Sequence, residues 1–196
     1  MIAIVDYDTG NLCSVCNALA RIGVEFCVTS DADKIRSADK VLLPGVGEAS
    51  SAMQKLEERG LASVIKELKQ PVLGICIGMQ LMCRHSEEGD VDCLGIFDTD
   101  VRRFEADSTS GVKVPHMGWN SIEQLSTPLF DNLNDGCFVY FVHSFAPDIC
   151  NDAIAVSCNG RSFAAALAKG NFYGTQFHPE KSGDVGEQIL KNFMAL

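Results

Sequence analysis

The run Pro71-Val72-Leu73-Gly74-Ile75-Cys76-Ile77-Gly78-Met79-Gln80 leaves its backbone few possible paths. Its first half is apolar with strand character and its second half is helix-compatible. Between them stands a cysteine with a glycine two residues to either side, the spacing of a nucleophile elbow. A chain turning from strand to helix this tightly presses the flanking positions against its own backbone, and glycine at 74 and 78 removes the side chains that would collide. Cys76 is then left at the apex, near the positive end of the helix that follows, where thiolate is favoured over thiol. The same residues also suit a buried cysteine closing a core strand. The decapeptide alone leaves both readings open.

The surrounding chain sets the architecture. Strand-like runs at 2–6, 24–29, 40–44 and 72–76 alternate with helical patterns at 10–22, 48–59 and 61–69, and another helix starts after Cys76. This order implies a largely parallel sheet with helices on both faces, binding ligands beyond the carboxyl ends of its strands, where Asp6, Pro44 and Cys76 lie. From 93 to 177 short strand-like runs dominate: 94–104, 120–125, 137–143, 153–158, 162–168 and 172–177. Their short connections read as mostly antiparallel. Asp184 with Glu187 resembles a capping box, and Val185, Ile189 and Phe193 then recur at helical spacing. The expectation is one α/β domain over 1–196: an open, mostly parallel central sheet with helices on both faces, plus a smaller antiparallel region.

Charge and cysteine usage narrow the function classes. The net charge is −10 and no basic stripe is visible, so nucleic acid is not an expected partner. No apolar run approaches the ~18–20 residues of a membrane span, and the first strand lacks the marks of a leader peptide. A cytoplasmic protein with reduced thiols is expected, its nine cysteines serving mostly as small core residues. Cys13 and Cys16 have the spacing of a redox dithiol or half a zinc site, but no second pair accompanies them. Leu12, Val15, Cys16, Leu19 and Ile22 form one helical stripe, which makes Cys16 a core residue and Cys13 its margin. Neither a metal nor a cofactor is called for.

A cysteine nucleophile needs a base, and the base needs something to orient it. Of the four histidines (His85, His116, His143 and His178), His178 stands out. Pro179 after it favours an extended backbone at 178, and in an extended segment Glu180 would share the imidazole's side. The oxyanion needs donors as well. The amide of Ile77 is one. A second would come from the turn Pro44-Gly45-Val46-Gly47, whose glycines let backbone amides face a ligand, with Val46 and Gly47 nearest the reaction. His85 and His116 receive no catalytic role.

Three segments, Leu43-Pro44-Gly45-Val46-Gly47, Gly74-Ile75-Cys76-Ile77-Gly78-Met79-Gln80 and Gln176-Phe177-His178-Pro179-Glu180, together resemble the class I, or triad, glutamine amidotransferases across nearly the whole chain. The resemblance implies a flavodoxin-like fold. It makes Cys76 the nucleophile, His178 the base and then acid, and Glu180 the orienter. Glutamine would be held by Gly45, Gly47, Gln80, His143, Ser144 and Phe145. The implied reaction hydrolyses the glutamine side-chain amide through a γ-glutamyl thioester, releasing ammonia and glutamate.

Finer features point to one branch. The segments Asp6-Tyr7-Asp8-Thr9-Gly10-Asn11-Leu12, Pro115-His116-Met117-Gly118-Trp119-Asn120, Tyr140-Phe141-Val142-His143-Ser144-Phe145 and Glu180-Lys181-Ser182 look like the glutaminase subunits of imidazole glycerol phosphate synthase. In that family the subunit docks on the open end of a (β/α)8-barrel cyclase. The resemblance implies a heterodimer with contacts at Asn11, Met117, Trp119, Asn120 and Lys181, Trp119 being a loop anchor. The family usually has glycine where Asp8 stands and often a basic residue where Cys13 stands. Competing readings are a same-branch subunit feeding ammonia to sugar or surface-polysaccharide synthesis, a non-catalytic regulatory subunit of the same fold, and a stand-alone cysteine peptidase.

Overall fold

The computed structural model describes residues 1–8, 12–107, 109 and 112–196. Asn11 lies outside them. The first half is built as β1 (Ile2–Val5), α1 (Leu12–Arg21), β2 (Phe26–Thr29), α2 (Ala32–Ser37), β3 (Lys40–Gly45), α3 (Ala49–Glu58), α4 (Leu61–Glu67), β4 (Val72–Cys76) and α5 (Ile77–Gln80). Then come β5 (His85–Ser86), β6 (Val91–Asp92), β7 (Asp100–Arg103), β8 (His116–Ile122), β9 (Cys137–His143) and β10 (Phe145–Pro147). The chain ends with β11 (Ala153–Asn159), β12 (Arg161–Lys169), β13 (Phe172–Thr175) and α6 (Gly183–Ala195).

The central sheet has the order β11-β12-β13-β4-β3-β1-β2. β2, β1, β3, β4 and β13 run parallel, while β12 and β11 add an antiparallel edge. The step from β1 to β2 goes one way along the sheet, and every later step to β3, β4 and β13 goes the other. Right-handed crossovers therefore put α1 on one face and α2, α3 and α4 on the opposite one. Two smaller sheets, β10-β7-β5-β6 and the ribbon β8-β9, complete the mixed α/β architecture.

The inner parallel strands are buried on both faces, β1 at all four positions and β4 at all five, while the edge strand β2 is partly exposed. The longer helices each contribute a stripe, such as Val15, Ala18 and Leu19 from α1. Cys16 packs at the edge of that core and Cys13 is exposed, and all nine cysteines are free thiols. Among the described residues no helix is long and apolar enough to cross a membrane.

Several elements differ from the sequence expectation. α2 was not foreseen, because six residues with one buried side chain, Ile35, carry no periodicity; Asp31 caps it through its side chain. In place of a strand over 94–104, only Asp100–Arg103 is extended. The amides of Leu94, Gly95, Ile96 and Phe97 instead satisfy the carbonyls of Leu81, Cys83 and Met82 just beyond α5. β13 pairs parallel with β4, and β5 with β7, in a half expected to be mostly antiparallel. The reason is that these partners are not joined by short hairpins. Asp184 does not cap α6: the helix begins at Gly183, and the Ser182 hydroxyl at its N-cap is engaged elsewhere.

Candidate active site

Cys76 ends β4 with φ +54°, a conformation that costs a non-glycine residue energy, and its side chain is buried. The glycines around it are required by contact. A Cβ on Gly78 would stand 1.7 Å from the Leu43 carbonyl oxygen, and one on Gly74 would stand 2.6 Å from the carbonyl oxygen of Gly78. α5 is a single turn, so the elbow is held by its neighbours more than by a long helix.

Both neighbouring strands deliver residues to the apex. In the β3–β4 register Gly45 lies opposite Cys76, which sets Val46 and Gly47 beside the thiol. A Cβ on Gly45 would meet the Tyr7 hydroxyl at 2.6 Å and the Gly78 amide at 2.9 Å. On the other side β13 ends at Thr175, paired with Ile75, and leads directly to Gln176 and His178. The side-chain amide of Gln176 donates from Nε2 to the Cys76 sulfur at 3.7 Å.

His178 is extended, with φ −98° and ψ 96°, and its Nδ1 lies 2.8 Å from Glu180 Oε1. Glu180 reaches it from a 3-10 turn, Pro179–Lys181, and not from a continuing strand. Proline at the first position of that turn accounts for the difference, since its fixed φ suits a helix start. Burial works against the imidazolium, but hydrogen bonds to Cys76 and Glu180 and their charges outweigh it, raising His178 to about 10. The backbone of Tyr140 brackets the same histidine. Its carbonyl accepts the His178 amide at 2.9 Å, and its amide donates to Ser182 Oγ, which donates to the His178 carbonyl at 2.7 Å.

These groups open on a cavity of about 350 Å³ lined by Val46, Gly47, Cys76, Ile77, Gln80, His143, Ser144, Phe145, His178 and Lys181, all expected at a site or interface. Gly45, also expected to hold substrate, is not among the lining residues; it ends β3 opposite Cys76. Gln80 spends its amide nitrogen on the Phe145 carbonyl at 3.0 Å and on Gln176 Oε1 at 2.9 Å. Glu88, Pro115 and Val142 also line the cavity, and the sequence reading missed them together with Gln176. Nothing local marks Glu88 off from Glu87; only the fold turns it inward. There Glu88 Oε2 accepts the Ala49 amide at 3.0 Å, and burial pushes its carboxyl above the usual range. Among the described residues no His, Cys, Asp and Glu side chains group to hold a metal ion.

Met117 and Trp119 are exposed on β8, and Trp119 rests edge-on against Tyr140 at 6.1 Å. Trp119 belongs to a strand and not to a loop as expected, because β8 extends back to His116. Asn120 does not share the outer face. It points inward, where its Nδ2 donates to the Cys158 carbonyl at 2.9 Å. Lys181 is exposed at the cavity mouth.

Chemically, a thiol faces a histidine held by a buried carboxylate, with an adjacent glycine turn and an enclosed pocket: the parts needed for acyl transfer. Comparison with known proteins identifies the family. The family model for glutamine amidotransferase class-I matches residues 3–196. The chain is 57% identical over 195 residues to the Bacteroides fragilis protein named imidazole glycerol phosphate synthase subunit HisH, covering 100% of this chain and 99% of that one. It is 47% identical to the protein of the same name from Idiomarina loihiensis, covering 100% and 97%. Among solved structures, one described as a glutamine amidotransferase superposes with a TM-score of 0.76 at 15% identity, covering 100% of this chain and 98% of that one. PurLQS from Thermotoga maritima gives 0.72 at 17%, covering 99% and 97%.

Proposed function

The chain belongs to the class-I glutamine amidotransferase family, and from that premise we propose that Cys76, His178 and Glu180 form its catalytic triad. It is a glutaminase subunit of imidazole glycerol phosphate synthase, the name its full-length relatives carry, and it serves histidine biosynthesis. The observation that carries the chemistry is Cys76 at the apex of a strained elbow, joined to a buried His178–Glu180 pair at one pocket.

Cys76 gives its thiol proton to His178 as its sulfur attacks the side-chain carbonyl carbon of glutamine. The oxyanion is met by amides of Ile77 and of the Val46–Gly47 turn. His178 gives its proton to the departing nitrogen, so ammonia leaves and a γ-glutamyl thioester remains. His178 then takes a proton from water as hydroxide adds to the thioester, and returns it to the Cys76 sulfur as the carbon–sulfur bond breaks and glutamate is released. Glu180 holds the ring and stabilises its positive form. Glu88 fits the substrate ammonium, and the backbone at His143–Phe145 fits its carboxylate.

The partner is a (β/α)8-barrel cyclase, docked on the face of Met117 and Trp119 beside the cavity mouth at Lys181. The ammonia passes to that subunit, which makes imidazole glycerol phosphate and aminoimidazole carboxamide ribotide. The setting is the cytoplasm, and the 196 residues act as one domain. The names of the relatives described above do not favour sugar synthesis or a regulatory role. In the complex, Cys76→Ala is expected to abolish glutamine-dependent synthesis while ammonia-dependent synthesis continues. Loss of both activities in a folded, docked variant would overturn the assignment.

A further inference from the structure

The ribbon β8–β9 has two different faces. Met117, Trp119 and Phe138 are exposed on one, while His116, Val139, Phe141 and His143 are buried on the other. His116 and His143 are register partners across it. Their rings are joined, His116 Nδ1 to His143 Nε2 at 3.0 Å. Asn120 Nδ2 stands 3.2 Å from His116 Nε2, and His143 Nδ1 stands 2.8 Å from the Phe145 carbonyl oxygen.

One proton arrangement satisfies all three contacts. The Asn120 amide is oriented by its other partners: Oδ1 accepts the Ser121 amide, and Nδ2 also donates to the Cys158 carbonyl. Nδ2 is therefore a donor toward His116, whose Nε2 must accept, leaving the proton on Nδ1. His116 then donates to His143 Nε2, which puts the second proton on His143 Nδ1. The carbonyl of Phe145 can only accept, so the far end independently requires the same answer. An imidazolium at either ring would set two N–H groups face to face. The surroundings agree: Phe141 stacks on His116 at 4.9 Å, Phe104 and Phe163 each approach His143 at 5.3 Å, and burial pushes His143 down to about 3.

The chain of contacts continues to the nucleophile. The Phe145 carbonyl also accepts from Gln80, whose amide nitrogen donates to Gln176, whose amide nitrogen donates to Cys76. We propose that His116 is a positioning residue of this pocket: it locks His143 as the Nδ1–H tautomer, and so fixes the Phe145 carbonyl, Gln80 and Gln176 around Cys76. Free histidine in water prefers the proton on Nε2. With that tautomer the lone pair of His143 Nδ1 would face the Phe145 oxygen and repel it. The inference about the pocket's use rests on the glutaminase reading; the tautomer itself does not.

The test takes three variants of the full chain. His116→Phe keeps the stack on Phe141 and removes the donor, His116→Asn returns a donor near Nδ1, and His116→Gln carries its amide beyond that point. Two-bond 1H–15N correlation of labelled histidine is expected to show His143 as Nδ1–H in the wild type and His116→Asn, and shifted toward Nε2–H in the other two. In the complex, KM for glutamine should rise about tenfold in His116→Phe and His116→Gln, the scale of one lost buried hydrogen bond, with kcat changed less and ammonia-dependent synthesis unchanged. His116→Asn should return KM to near the wild-type value. Retention of the Nδ1–H tautomer in His116→Phe and His116→Gln, or a wild-type KM in both, would overturn the proposal. A wild-type complex without glutaminase activity would sink the functional reading instead, and the tautomer would still decide this one.

Discussion

Gly78→Ala is the sharpest test of how the elbow is held. Gly78 lies inside a helical turn, and helix propensity alone says that alanine there stabilises by about 1 kcal/mol. The contact says the opposite. The new Cβ would stand 1.7 Å from the Leu43 carbonyl oxygen, about 1.3 Å inside the 3.0 Å below which such contacts essentially never occur. The obstacle is backbone of β3 in the middle of the sheet, so no side-chain rotation relieves it. Overpacking of this kind costs about 1–3 kcal/mol or more, enough to cancel the propensity gain and lower Tm by several degrees. The relief also moves the turn that carries Cys76 and Ile77 relative to Gly45, and a displacement near 1 Å at a reacting group costs about 100-fold in rate. Thermal unfolding and glutamine turnover in the complex measure both. Gly95→Ala is the control, since its added Cβ meets nothing within 4 Å and carries only the penalty of φ +67°. A Gly78→Ala protein with an unchanged or higher Tm and turnover within twofold of wild type would refute the close-approach argument.

Three further outcomes follow from the site and its rim. Because His178 is raised from 6.5 to about 10 in the folded state, its stabilising protonation is fully present below about pH 6.5 and lost as pH rises toward 10. Glu180→Gln removes one of the groups that raise it, so chemical denaturation at the two pH values should show a smaller alkaline loss than in wild type; equal losses would contradict the pairing. The same variant should lower glutamine turnover about 100-fold. Trp119→Ala should weaken binding of the barrel subunit about 30-fold by calorimetry, an anchor-sized loss, while Tm stays within about 1 °C because the ring is exposed. A marked fall in Tm would make Trp119 a core residue instead.

What was legible in the sequence is what the backbone decides locally. The elbow needs only five consecutive residues, and Gly74, Cys76 and Gly78 stated its geometry in full. Among the first four parallel strands β1, β3 and β4 were equally plain, since burial on both faces demands unbroken apolar runs. His178 and Glu180 were readable as a pair, although the turn between them was not, because Pro179 both favours an extended residue before it and begins a helical turn after it. Long-range placement was another matter. Gln176 meets Gln80 only because β13 joins β4 in parallel across 95 residues of intervening chain, and no local pattern marks that pairing. His116 looked idle because its role lies with a partner on another strand. The start of β8 was hidden for a related reason: His116, Gly118 and Asn120 are poor strand formers, held in place by what they touch.

The two-faced ribbon places an unequal constraint on how this chain can change over time. Met117 and Trp119 alternate with His116 and Asn120 along the same seven-residue strand. Substitutions at the outer positions can retune the proposed docking surface without entering the pocket, because the pleat sends neighbouring side chains to opposite sides. A single inserted or deleted residue cannot be absorbed that way. It would exchange the two faces at once, turning histidine outward and tryptophan toward the pocket. Within β8, lineages of this protein should therefore differ by replacement and keep their length.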